Sequence, residues 1–170
     1  MALATDISLR ILANYTTTKD LGNIPASNLD FSQKIQLASG VSAGQADKLW
    51  YDERTLGASA SEDLDLSGTQ TDDFGTTFTI ARIKAIAIKA AASNTNNVVI
   101  GGASATQWAS LLGTTGTVTL HPGAFIAAVA GSADATGYVC AAGATDLLKV
   151  LNSAGGTSVV YQIVVVACSA

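Results

Sequence analysis

One histidine, thirteen carboxylates and two cysteines are the groups in this chain whose chemistry reaches beyond packing. The histidine, His121, sits in Leu120-His121-Pro122-Gly123. A general base needs a nucleophile or an acid held within hydrogen-bond reach, and no motif places one beside it. It reads as a turn residue between two strands. A single histidine without paired cysteines also excludes a catalytic histidine–metal cluster. Among the carboxylates, Glu62, Asp63, Asp65, Asp72 and Asp73 fall within a dozen residues. Asp63 and Asp65 share one face of a strand, where they would hold Ca²⁺ with backbone carbonyls or act as an acid pair. The spacing lacks the central glycine and twelfth-position glutamate of an EF-hand loop. The expectation is a solvated strand face leading into an acidic turn, with calcium at Asp63 and Asp65 as the competing reading.

Gly101-Gly102 and Gly113-Thr114-Thr115-Gly116 invite a phosphate-cradle reading. Neither is followed by Lys-Ser/Thr or set between a strand and a helix, so both read as turns. Trp50, Tyr51 and Trp108 would make a sugar-stacking platform if exposed; aromatics of this kind are more often core or interface anchors. Cys140 and Cys168 fit no metal or redox spacing and are either buried small hydrophobes or one disulfide. Asn14-Tyr15-Thr16 matches a glycosylation sequon, read as chance in the absence of a secretion signal.

The elements that must position these residues are strands. Ile7, Leu9 and Ile11 alternate with Ser8 and Arg10; Leu29, Phe31, Ile35 and Leu37 keep one parity, with Gln33 as the odd member. Period two marks half-buried strands. Leu49 and Tyr51 share a run in which Trp50 points the other way, and Leu64 and Leu66 alternate with Asp63 and Asp65. From Phe78 to Ile88 the parity slips at Ile83, which predicts a β-bulge or a single helical turn near Arg82. A helix over Thr77 to Ala92 competes on composition, but no capping box precedes it. Strands are predicted at Val98 to Ile100, Val118 to Leu120, Phe125 to Val129, Tyr138 to Cys140, Leu147 to Leu151 and Val159 to Cys168. Turn residues punctuate nearly every gap. The pattern predicts an all-β fold, an antiparallel β-sandwich or barrel in one domain over residues 1–170. Residues 1–27 are set apart as an extended N-terminal arm or edge strand. The last strand is apolar on both parities, so it should be central, or packed on another subunit through one face.

Composition points the same way. Charged residues make up 13% of the chain, against about a quarter in an ordinary soluble domain. The surface must therefore be largely Thr, Ser, Asn, Gly and Ala, which suits a protein packed against neighbours. A net charge of −4 with basic residues scattered singly argues against phosphate neutralisation and hence against nucleic-acid binding. The sequence has no run of eighteen apolar residues and no leader-like N-terminus, so neither a membrane span nor secretion is expected.

Several segments resemble a group of virion proteins encoded among the head genes of tailed bacteriophages. They are Ala43-Gly44-Gln45-Ala46-Asp47-Lys48-Leu49, Glu62-Asp63-Leu64-Asp65-Leu66-Ser67-Gly68 and Ala81-Arg82-Ile83-Lys84-Ala85-Ile86. With them go Asn96-Asn97-Val98-Val99-Ile100-Gly101-Gly102, Pro122-Gly123 and Asp146-Leu147-Leu148-Lys149-Val150 leading into Asn152-Ser153. The resemblance runs from Ala43 to the C-terminus. It implies a jelly-roll-like capsid decoration or cement protein, a homotrimer that stabilises the shell by bridging major capsid protein subunits. Such a protein is made in the host cytoplasm and resides on the capsid surface. A tail or receptor-binding module recognising host glycans is the alternative. No catalytic, cofactor or metal residue is carried over, and no enzyme activity is expected.

Overall fold

The computed structural model describes residues 2–103 and 105–170. Its strands are β1 (Thr5–Thr16), β2 (Ala26–Ser39), β3 (Gln45–Ala46), β4 (Lys48–Leu56), β5 (Ser61–Asp65), β6 (Arg82–Ala90), β7 (Val98–Gly101), β8 (Thr117–Leu120), β9 (Phe125–Val129), β10 (Tyr138–Val139), β11 (Leu147–Asn152) and β12 (Val159–Cys168). The body is an antiparallel β-sandwich. One sheet runs β4–β12–β6, with β9 and β10 both paired to the far side of β6; the other runs β5–β11–β7–β8. Trp50, Ile86, Ile88, Tyr161, Ile163 and Val165 point inward from the first. They meet Leu64, Val98, Ile100, Leu120, Leu148 and Val150 from the second.

β12 is the middle of its sheet, between β4 and β6. Its β-branched residues suit a strand covered on its faces, and its inward row from Val159 to Val165 is fully buried. Residues 82–90 are strand, because a buried pairing edge beside β12 outweighs the weak helix preference of Ala and Lys. The parity slip is a bulge: the register against β12 jumps between Val166 and Ala167, leaving Lys84 unpaired between Ile83 and Ala85. Lys84 turns into the protein there, and its Nζ donates to the Asp134 carbonyl at 2.6 Å. Phe78 and Ile80 are buried but precede the strand, inside a loop closed by the Phe78 N–H donating to the Gln70 carbonyl.

Asparagines fasten the loops. Asn152 is buried; its Nδ2 donates to the Gly57 and Thr157 carbonyls at 2.8 Å each, and its Oδ1 accepts from Asn96. Asn94 brackets Val160, accepting from its N–H and donating to its carbonyl. The side-chain amides of Asn94 and Asn152 are thus satisfied, mostly by backbone groups that would otherwise need water.

β1 and β2 leave the sandwich as one antiparallel ribbon, in unbroken register from Thr5↔Leu37 to Thr16↔Ala26. Twelve residues at about 3.3 Å each give it a reach of roughly 40 Å. The projecting element is thus a hairpin through Ser39. It does not end near residue 27, because β2 returns alongside β1. Among the described residues the arm is tied to the body at its base: Ala38 and Ser39 pair with β3, and the segment that follows is held where Arg82 donates to the Val41 carbonyl and the Cys168 thiol contacts the Gln45 carbonyl at 3.3 Å.

Candidate interaction surface

Residues opposite one another in an antiparallel ribbon share a face. One face of the arm therefore carries Thr5, Ile7, Leu9, Ile11, Ala13 and Tyr15 opposite, in turn, Leu37, Ile35, Gln33, Phe31, Leu29 and Ser27. The other carries Asp6, Ser8, Arg10 and Asn14 beside Gln36, Lys34, Ser32, Asp30 and Asn28, with Leu12 as its apolar exception. The polar face is closed by its own charges. Arg10 grips Asp30 through Nε and Nη2 at 3.0 and 2.9 Å, and Lys34 meets Asp6 at 2.7 Å. Asp30 holds the Arg10 guanidinium above its ordinary pKa, and the Lys34 hydrogen bond holds the Asp6 carboxyl below the usual range. In full solvent such pairs fix rotamers more than they stabilise.

The apolar face is covered only at its base. Leu37 is 3% exposed and packs, with Ile7 and Ile35, on Ala85, Val129 and Val166. Further out Phe31 is 48% exposed and Tyr15 76%, and Leu9, Ile11 and Leu29 are open as well. Leu9, Ile11, Leu29 and Phe31 are already about half buried, so covering the rest would contribute roughly 1 kcal/mol for each. A two-stranded ribbon on its own is marginal in water. At the tip, Leu21 is fully exposed with φ +65°, a left-handed conformation that costs an L side chain about 1 kcal/mol or more. Ile24 stands exposed near it.

The sandwich surface on which the base of the arm rests is also apolar. The outward residues of β4, β12, β6 and β9 form two rows, Leu49–Val166–Ala85–Val129 and Tyr51–Val164–Ala87–Ala127. Glu53, Gln162 and Lys89 bound them in the next row, with Gln162 donating to Glu53. The first row lies partly under the arm. The second is more open, and between it and Leu3 to Ile7 runs a groove of about 360 Å³ lined almost wholly by aliphatic side chains. The void between the sheets, beside Trp108, Leu111 and Leu112, is about 10 Å³, room for no more than a water.

The residues singled out for chemistry are not brought together. His121 is exposed in its turn, with Nδ1 3.1 Å from the Asn97 Oδ1. Asp63 and Asp65 do lie on one strand face; Asp63 stands opposite Lys149, and Asp65 accepts from the Ser67 N–H. Among the described residues, no group of three or more His, Cys, Asp or Glu is placed to share a metal ion. Cys140 and Cys168 are both free and buried, which excludes the disulfide. The stacking platform does not exist, since Trp50 and Trp108 are core residues and the Trp108 Nε1 donates to the Val139 carbonyl at 2.9 Å. Tyr51 alone is exposed, its hydroxyl bound to Asp73. Gly101 takes φ +101°, and a Cβ there would collide with the Gly116 carbonyl. These glycines let two backbone segments touch, which is a packing role. Among the described residues no helix is long and apolar enough to cross a membrane.

Sequence reasoning missed one polar cluster. Arg54 bridges Asp52 and Glu62 at 2.9 Å each, and the Tyr161 hydroxyl donates to Glu62 at 2.7 Å. Burial opposes the Arg54 charge, but Glu62 outweighs it and raises its pKa; burial and then Glu62 push the Tyr161 phenol far up. None of its buried side-chain atoms is left unpaired. The cluster links β4, β5 and β12 across the two sheets; Asp52, Arg54 and Glu62 are near in sequence, but Tyr161 lies 99 residues from Glu62, so spacing could not have revealed the whole. The surface built to act is therefore the arm and the apolar strip beside it. No protein-family model, curated protein or solved structure matches the chain.

Proposed function

We propose that the chain is a structural virion protein: a trimeric cement or decoration subunit that stabilises a tailed-phage capsid by bridging major capsid protein subunits. The observation that supports this most is the arm, a ribbon with one apolar face mostly open to water and an apolar tip at Leu21 and Ile24. A domain that acts alone gains nothing from such a ribbon; exposed apolar surface of this extent marks an association site. The virion assignment and its jelly-roll-like kinship rest on the resemblance of the segments from Ala43 onward.

The mechanism is added interface. A specific contact buries about 1,200–2,000 Å², and on a symmetric shell it recurs at every equivalent position, so a modest affinity per copy is multiplied. Interfaces that cross capsomer boundaries oppose the outward pressure of packaged DNA. The arm's tip is the part that meets the shell, being the apolar surface farthest from the body. The glycan-binding alternative is weakened by the burial of Trp50 and Trp108.

The test is to strip the protein from particles and follow genome release on heating. Stripped particles are expected to release DNA at a lower temperature, and adding the protein back to restore the original one. Identical release with and without it overturns the reading.

A further inference from the structure

The geometry points to arm exchange between copies of this chain: the open flank of one arm, Leu9, Ile11, Leu29 and Phe31, lies on the Tyr51–Val164–Ala87–Ala127 row of another. This deepens the proposed function by naming what holds the subunits together, and it rests on reading the chain as an assembling protein.

Three observations choose a second copy as the occupant. The first is continuity. The base of the arm already packs its apolar face on the outer face of this sheet, through Ile7, Ile35 and Leu37 against Ala85, Val129 and Val166. Farther out the same arm face runs on uncovered, and the next row of the same sheet face lies uncovered beside its groove. Each open surface is an extension of one half of an observed contact. The second is relief and charge. Ala87 and Ala127 leave a shallow neutral floor on which a ribbon can settle closely. The arm face it would receive carries no charge, because Arg10, Asp30, Asp6 and Lys34 pair on the opposite face. A charged or sugar-bearing partner would find nothing there to pair with.

The third is size. A ribbon face two strands wide and seven residues long covers roughly 10 Å by 23 Å. One such patch falls well short of the about 800 Å² per partner of a stable interface. Exchange lets each protomer give one arm and receive another, which doubles the patch to roughly 460 Å² per protomer. This is below a standard stable interface, so association is expected to be weak and concentration-dependent. Exchange also closes under rotational symmetry, either across a two-fold axis or round a ring.

The test uses the full-length chain, free of particles, in sedimentation equilibrium. Wild type is expected to associate. Ile11→Asp or Phe31→Asp on the arm, and Ala127→Asp or Val164→Asp on the strip, should each weaken association by about tenfold or more. Asn28→Asp, on the arm's polar face, should leave it unchanged. Mixing Ile11→Asp chains with Ala127→Asp chains should restore association in part, since one supplies a sound strip and the other a sound arm. Mixing Ile11→Cys with Ala127→Cys chains should give a disulfide-linked heterodimer on oxidation; circular dichroism checks that every variant keeps the wild-type fold.

A chain that stays monomeric at every concentration overturns the inference. So does a strip variant that associates normally, or cross-linking of Ile11→Cys only to itself. The two readings fail separately. Particles that lose heat stability on stripping, with a monomeric free chain, retain the cement role and refute exchange. Exchange with unaltered particles does the reverse.

Discussion

The sandwich and the arm are written in the same local code and end in opposite states. β12 and β1 both place apolar residues two apart on a strand. In β12 the inward row from Val159 to Val165 is sealed by the facing sheet, whereas in β1 the row from Leu9 to Tyr15 faces water. Alternation specifies that a strand has an apolar face. It does not specify what covers that face. In the body the cover comes from elsewhere in the chain; along most of the arm it must come from another molecule. Stability should therefore concentrate in the body and association in the arm.

The largest effect is expected in the core. Trp108 is 2% exposed and packs edge-on to Tyr138 at 6.3 Å between ring centroids. Trp108→Ala removes a large buried side chain and one of the two donors to the Val139 carbonyl, the Ser110 hydroxyl being the other. It should cost about 3–5 kcal/mol, read as a lower urea midpoint with unchanged slope. A loss below about 1 kcal/mol would mean that the body is not the stable half.

Next comes the loop fastening. Asn152→Ala would strip donors from the Gly57 and Thr157 carbonyls and an acceptor from Asn96. The expected loss is about 1–3 kcal/mol, measured in the same titration. The effect should not extend to the arm, which shares none of these bonds.

A pH dependence follows from Cys140. Burial, with Asp146 and Asp65 adding to it, pushes its thiol from 9.0 up to about 12. The folded pKa lies above the unfolded one, so the stability is fully present below about pH 9. It falls as pH rises toward 12, by about 1.4 kcal/mol per pH unit. Unfolding titrations at about pH 8 and about pH 10.5 should thus differ by roughly 2 kcal/mol more in wild type than in Cys140→Ala. Equal differences would refute the burial of a neutral thiol.

The fold was legible because turn residues separate short runs whose parity is clear, and even the slip near Ile83 marked the bulge that now holds Lys84. What spacing cannot carry is the identity of the neighbour. Leu29 and Phe31 alternate as regularly as Ile86 and Ile88, yet the first pair is exposed and the second buried. Likewise Trp50 and Tyr51 are adjacent in sequence, and only the pairing of β4 with β12 decided that Trp50 turns inward. The Arg54–Glu62–Tyr161 cluster depends on contacts up to 99 residues apart, beyond the reach of any local pattern.

The smallest stability effect should fall on the arm, and it sharpens the comparison most. Phe31 is large and apolar, so a core residue of its kind would cost about 3–5 kcal/mol on truncation. Because it is 48% exposed on a ribbon with no second layer, Phe31→Ser in dilute protein should change unfolding by within about 0.5 kcal/mol. Hydrogen exchange checks the same division without a mutation. In dilute protein the amides of β1 and β2 should exchange by local opening, while those of β12, bonded on both sides, should wait for global unfolding. Raising the protein concentration should then slow exchange in Leu9 to Tyr15 and leave β12 as it was. Arm amides as protected as β12 in dilute protein would mean that the ribbon needs no partner to be stable.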